Sequence, residues 1–229
     1  MSRTSLSSIE DYFVDKFTSL IDESMARSPF FQAWSSESVD ASRAVRFLAT
    51  FEALVRSFPG LIAQGAARAE DADTRTVLAV NLYQECGEGN LSRTHHAIFR
   101  KFLATADVDP ATAPAQTFTD AWRKGLLTYI NSVDSSLSAL GTLAAGEFLA
   151  QPVLNRIFDV IGPMYPQANI EYFTTHLALE AEHVREVAEL LARQIQLGGS
   201  VQEVEDGFRF GLKTWVDYFD HLSVYVFEA

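Results

Sequence analysis

Apolar residues recur at helical spacing through most of the chain. Leu78, Leu82 and Glu85 follow one another at steps of four and three. Leu140, Leu143, Leu154, Ile157 and Ile161 form a second stripe, and Phe173, Leu177, Val184, Val187 and Leu191 a third. Such steps keep one face of a helix toward a core, and no segment reads convincingly as a strand. With its caps and breakers, the pattern predicts helices over about 8–26 (capped by Ser7 or Ser8), from 41 with a kink or break at Pro59, 71–85 and 95–105. Further helices are predicted over about 118–133, 135–146 or beyond, 152–161, from an Asn169 cap to before Gly198-Gly199, and 201–227. The stretch 34–40, the stretch 107–117 with Pro110 and Pro114, and Gly162-Pro163-Met164-Tyr165-Pro166 read as connections. The expectation is one all-α domain over residues 1–229, a bundle of about seven to nine helices.

Composition narrows the function classes. A content of 48% hydrophobic residues supports a substantial core. The net charge of -12 disfavours nucleic acid and anionic membrane, which select basic surfaces. Cys86 is the single cysteine, so an intrachain disulfide and a thiolate zinc site are both excluded. The polar start lacks a hydrophobic signal core, and no apolar run reads as a membrane span, so a cytoplasmic protein with no membrane partner is expected.

Three polar groups interrupt the third stripe. In His176-Leu-Ala-Leu-Glu180-Ala-Glu-His183, steps of four and seven place imidazole, carboxylate and imidazole within roughly 40° around a helix. Groups like these are expensive to bury without a common partner, and a metal ion is the simplest one. Of the five histidines, His95, His96, His176 and His183 lie in two segments, with His221 apart. Glu85 continues the apolar stripe of its helix, and Gly87 and Gly89 permit a bend that returns a histidine toward it. Glu88 is the alternative acid, seven residues before His95 on an unbroken helix; the two glycines favour Glu85. Glu147 lies on the second stripe and needs a partner, either a metal or an arginine such as Arg156. Glu52 reads as a surface or salt-bridged residue, and His96 and His221 as structural or solvated. Glu182, Arg185, Glu186, Glu189 and Arg193 read as a solvated helix face. Phe208, Phe210, Trp215, Tyr218, Phe219, Tyr225 and Phe227 read as core, with lining of a substrate cavity as the other reading. Three histidines and three carboxylates without thiolate, namely Glu85, His95, Glu147, His176, Glu180 and His183, suit iron or manganese in a helical scaffold, and iron is the redox-capable choice.

The run Asn81-Leu-x-x-Glu85-x-Gly87-x-Gly89 followed by a histidine, the isolated Glu147, and the final His176-x-x-x-Glu180-x-x-His183 resemble the heme-oxygenase-like diiron oxidases and oxygenases over about residues 81–183. The resemblance implies a heme-oxygenase-like helical bundle with those six residues holding two Fe(II) ions. It implies dioxygen as co-substrate and N-oxygenation, desaturation, decarboxylation or cleavage of a small organic metabolite. A carboxylate-bearing metabolite is expected by analogy, with an external electron donor and a homodimer left open. Two departures stand out. Glu180 occupies a position that is usually aspartate, and Ile157 stands where a self-modifying branch of the family carries a lysine. The alternative is a metal-independent enzyme resembling thiaminase II or pyrroloquinoline-quinone synthase. Cys86, however, does not fit the thiaminase pattern of a cysteine nucleophile. No histidine precedes His95 to bind heme as heme oxygenases do. A further rival is a non-enzymatic helical interaction protein with buried ion pairs.

Overall fold

Short polar side chains start most of the helices in the computed structural model. Ser5 accepts from the backbone N–H of Ser8 to open α1 (Leu6–Arg27), and Ser28 does so from Phe31 for α2 (Pro29–Ala33). Asp40 and Asp71 cap α3 (Ala41–Arg68) and α4 (Ala72–Glu85), and Thr94 caps α5 (His95–Thr105). After α6 (Ala115–Ser132), Ser135 caps α7 (Ser136–Met164) and Ser200 caps α9 (Val201–Ser223). Each such contact satisfies a backbone donor that the first helical turn leaves without a partner. For α8 (Glu171–Gln196), Asn169 Oδ1 accepts from the Glu171 N–H, one position farther out than a standard cap. The structure describes residues 5–35, 37–112 and 115–228. Pro114 and the side chains of residues 115, 116 and 179–181, including that of Glu180, lie outside the described residues. Among the described residues there are nine α-helices and no strand.

Four boundaries differ from the sequence expectation. Helix α3 runs through Pro59, and α7 runs through both Pro152 and the Gly162-Pro163 pair to Met164. A proline inside a helix costs about 3 kcal/mol. Around Pro59, Leu54, Val55, Leu61 and Ile62 are all buried, and each contributes about 1.5–3 kcal/mol, so packing on both flanks outweighs the lost hydrogen bond. Leu149, Val153 and Leu154 do the same around Pro152. The one-turn α2 is too short to show a period, yet it buries Phe30 and Phe31. Beyond Ser223 the chain closes with a π-helical turn, Val224–Glu228, rather than a continued α-helix.

Unbroken, α7 is long and apolar enough to cross a membrane by length and composition, contrary to the sequence expectation; 72% of that stretch is buried inside the bundle. It is the central helix, packed against α1, α3, α6, α8 and α9. Its crossing with α9 is close because Gly207 faces backbone: a Cβ there would lie 2.0 Å from the Ser138 carbonyl oxygen. The approach lets Thr142 Oγ1 donate to the Gly207 carbonyl at 3.1 Å and Ser138 Oγ to the Glu203 carbonyl at 3.1 Å. The shared core that results brings α4, α5, α7 and α8 to one buried point, with α3 closing the side.

Candidate metal centre

Helix α4 ends at Glu85, and a left-handed turn follows. Gly87, Glu88 and Gly89 have φ of 68°, 55° and 84°. The turn reverses the chain so that α5 begins at His95, whose Nδ1 lies 2.9 Å from Glu85 Oε2. Glu88 sits at the turn itself, exposed, with its carbonyl accepting from Tyr83 OH. Of the two acids considered, Glu85 is the one that meets the histidine.

Helix α8 supplies the opposite wall. His176 packs its ring 4.2 Å from that of His95. Donor atoms of Glu85, His95 and His176 all lie within 4.8 Å of one another, and all three residues are buried. One turn before it, the Tyr172 carbonyl accepts from His176 Nδ1 at 2.8 Å. A carbonyl can only accept, so Nδ1 carries the proton. Burial, and secondarily the neighbouring His95, push the His176 pKa down to about 4, so the ring is neutral and Nε2 keeps a free lone pair.

His183, two turns along α8, pairs with Glu147 of α7. Its Nδ1 is 3.5 Å from Glu147 Oε2, and its Nε2 is 3.1 Å from Gln84 Oε1. Burial works against a charge on His183, but the hydrogen bond and charge of Glu147, joined by Glu85 and Glu186, raise its pKa. The rival partner of Glu147, Arg156, is engaged elsewhere, donating to the Phe31 carbonyl. The structure thus gathers Glu85, His95 and His176 into one cluster and Glu147 and His183 into a pair. Gln84 and the Tyr172 carbonyl are functional contacts that the sequence reading missed. Tyr172 stands four residues before His176, a spacing that could have signalled it; nothing local signals Gln84.

The surroundings of the two groups differ sharply on their two sides. An apolar cavity, with about 60 Å³ open to the centre of a water molecule, meets Glu85, Glu147 and His176 at one end. Phe51, Phe58, Trp215 and Phe219 line it, so two of the aromatics expected as core, Trp215 and Phe219, also face a cavity. On the other side, a recess lined by Gln84, Glu88, Arg93 and Glu171 reaches His95. Glu52 is not part of either: His96 Nε2 is 2.7 Å from its Oε1, with Arg56 and Arg100 at 3.9 Å. That hydrogen bond, outweighing burial and helped by the electrostatic influence of His96, Arg56 and Arg100, lowers the Glu52 pKa. Glu52 is thus paired with side chains of α3 and α5.

Comparison with solved structures places this arrangement in a known fold. A CADD-like protein of unknown function from Nostoc punctiforme PCC 73102 superposes with a TM-score of 0.74 at 15% identity, covering 93% of this chain and 98% of that one. A TenA homologue from Pseudomonas syringae pv. tomato str. DC3000 gives 0.70 at 15% identity, covering 100% and 99%. A domain of unknown function with a heme oxygenase-like fold from Shewanella denitrificans OS217 gives 0.66 at 16% identity, covering 100% and 97%. No curated protein matches the sequence. Likeness at this identity shows the fold, which is heme-oxygenase-like as expected. The sequence profile of the iron-containing redox enzymes matches residues 45–216, a span that includes every residue of the buried cluster and of the pair beside it, and the chain belongs to that family.

Proposed function

We propose that this protein is a dioxygen-dependent non-heme diiron oxidase or oxygenase acting on a small organic molecule. Glu85, His95 and His176 would hold one iron and Glu147 and His183 a second, with Glu180 as the sixth ligand. The observation that carries this reading is an orphaned atom. His95 Nδ1 is fully buried and 2.9 Å from a carboxylate oxygen, yet no hydrogen bond of acceptable geometry satisfies it. Buried polar atoms are rarely left so, and two ligands of one cation approach each other in this way. The donors are nitrogen and oxygen without thiolate, which suits iron. Iron, when bound, would supply the redox chemistry that lets dioxygen oxidise an organic group.

The protein's own part follows from the contacts. The Tyr172 carbonyl fixes the His176 tautomer so that Nε2 faces the cluster. Gln84 Oε1 accepts from His183 Nε2, which turns Nδ1 toward Glu147. The aromatic wall keeps water from the oxidisable group. Dioxygen takes up four electrons on the way to water, so an external donor completes the cycle where the substrate supplies two. The second reading is a metal-independent enzyme resembling thiaminase II or pyrroloquinoline-quinone synthase, supported by the fold shared with a TenA homologue; Cys86, exposed and outside the cavity lining, does not supply a cavity nucleophile for its thiaminase branch.

The test is iron per chain after anaerobic Fe(II) loading, followed by dioxygen uptake. The proposal expects two irons and uptake that depends on them, with His176→Ala and His183→Ala each lowering iron content. A chain that takes up no iron, or an apoprotein with full turnover after chelation, would end the reading.

A further inference from the structure

The cavity wall carries information about the substrate. Away from Glu85, Glu147, Tyr172 and His176, its lining is hydrocarbon except for the Trp215 indole, with Leu54, Val55, Leu149, Val153 and Leu154 beside the four aromatics. Among the described residues no lysine or arginine reaches it. Arg93 lines the separate polar recess that reaches His95. A charge carried into the apolar end would therefore be desolvated without a counter-charge, whereas each methylene placed there gains. Size adds a second limit. The space inside is finite, so a chain long enough to fill it gains nothing from further methylenes without side-chain movement.

We infer that the substrate offers this wall an uncharged hydrocarbon or aryl body. Its oxidisable group sits at the Glu85, Glu147 and His176 end. The inference rests on the metal-centre reading for what happens at that end, but the wall's preference does not need the metal. A carboxylate or ammonium on the distal part of the substrate, as in an amino acid held by its side chain, is excluded by the same wall.

The experiment is a methyl chemical-shift titration of the apoprotein and of the Zn(II)-loaded protein, with metal content measured on the same samples. The probes are 1-propanol to 1-octanol and, as a charged-tail comparison, 6-amino-1-hexanol. Affinity is expected to rise about fourfold per methylene and to level off at the alcohol whose chain fills the cavity. In the Zn(II)-loaded protein 6-amino-1-hexanol should bind at least about tenfold more weakly than 1-hexanol. Ala150→Phe, which fills the cavity from α7, should abolish the series. Should that variant fail to fold, Val55→Ala should move the plateau to a longer alcohol. A flat series, equal binding of the charged-tail probe, or a plateau unmoved by Val55→Ala would overturn the inference. A length-dependent series in a protein that takes up no metal would sink the diiron reading and leave the inference about the wall standing.

Discussion

Gly87→Ala tests whether the turn between α4 and α5 builds the centre. Gly87 has a φ of 68°, and a Cβ on it would lie 2.4 Å from the backbone nitrogen of Thr94 and 2.5 Å from the carbonyl carbon of Arg93. Backbone atoms cannot rotate away as a side-chain tip can. Restoring the ~3.5 Å of ordinary contact moves the chain by about 1 Å, and His95 is the next residue after Thr94. Gly89 is the internal control. Its φ is 84°, but the nearest atom a Cβ would meet is the Tyr83 ring at 4.0 Å. Both alanines carry the left-handed strain of about 1–2 kcal/mol. Gly87→Ala adds an overpacking cost of about 1–3 kcal/mol, and it alone displaces His95 from its 2.9 Å approach to Glu85. Loss of a contact that orients a ligand typically lowers metal affinity about 10–100-fold. Anaerobic Fe(II) titration against a competing chelator should show that loss in Gly87→Ala and unchanged affinity in Gly89→Ala, while urea unfolding of the apo forms reads the two stability costs. Wild-type affinity in Gly87→Ala, or equal losses in both variants, would refute the claim that the turn sets the position of His95.

Three other outcomes follow from the geometry. The folded His176 pKa of about 4 lies below its ordinary 6.5, so below pH 6.5 the unfolded chain binds a proton that the folded chain refuses; the apoprotein should lose about 3 kcal/mol as pH falls from about 6.5 to about 4 and no more on this account below that. His176→Asn should remove that share of the slope in urea unfolding, and an unchanged slope would count against it. His183 has the opposite sign: its raised pKa gives stability present below pH 6.5 and lost as pH rises through the folded value, and a metal at Nδ1 must displace that proton. Calorimetry of Zn(II) binding near pH 6.5 in buffers of different ionisation enthalpy should therefore show proton release, reduced in Glu147→Gln. Finally, Gly207→Ala should destabilise by about 1–3 kcal/mol by forcing α9 off the Ser138 carbonyl, whereas Gly60→Ala, with nothing within 4 Å, should stabilise by about 0.5–1 kcal/mol; thermal unfolding with the same sign for both would refute the close-approach argument.

Local signals were read well from the sequence and nonlocal ones poorly. Helices α4 and α5 fall at their expected limits because Asp71 and the glycine turn act within a few residues. Glu85 was favoured over Glu88 for the same reason, since two glycines mark a left-handed turn whatever surrounds it. The continuity of α3 and α7 through prolines was not legible, because the packing that outweighs a proline comes from helices far away in the chain. Gln84 belongs with that class: it precedes Glu85 by one residue and so reads as a different helix face, and its contact with His183 spans 99 positions. The division of the site into a trio and a pair is tertiary as well, fixed by which helix each histidine of α8 faces. His176 meets Glu85 of α4 and His95 of α5, and His183 meets Glu147 of α7 besides Gln84 of α4.

Glu52 shows how this chain meets a buried carboxylate with its own side chains. It accepts a hydrogen bond from His96 and has the guanidinium groups of Arg56 and Arg100 at 3.9 Å, so its charge is met by side chains that the fold itself provides. Glu85 and Glu147 are as deeply buried, and among the described residues neither has a lysine or arginine within ion-pair distance. Their contacts are imidazoles, one of which, His176 nearby, resists protonation down to about pH 4. Two buried carboxylates at an apolar cavity, met among the described residues by imidazoles and by no lysine or arginine, form a poor electrostatic arrangement for a protein that is complete as it stands. At Glu52 the same chain meets a buried glutamate with histidine and arginine. At this point in the core it supplies nitrogen and oxygen donors without arginine, and under the proposed reading a divalent cation would turn that arrangement from a cost into a binding site.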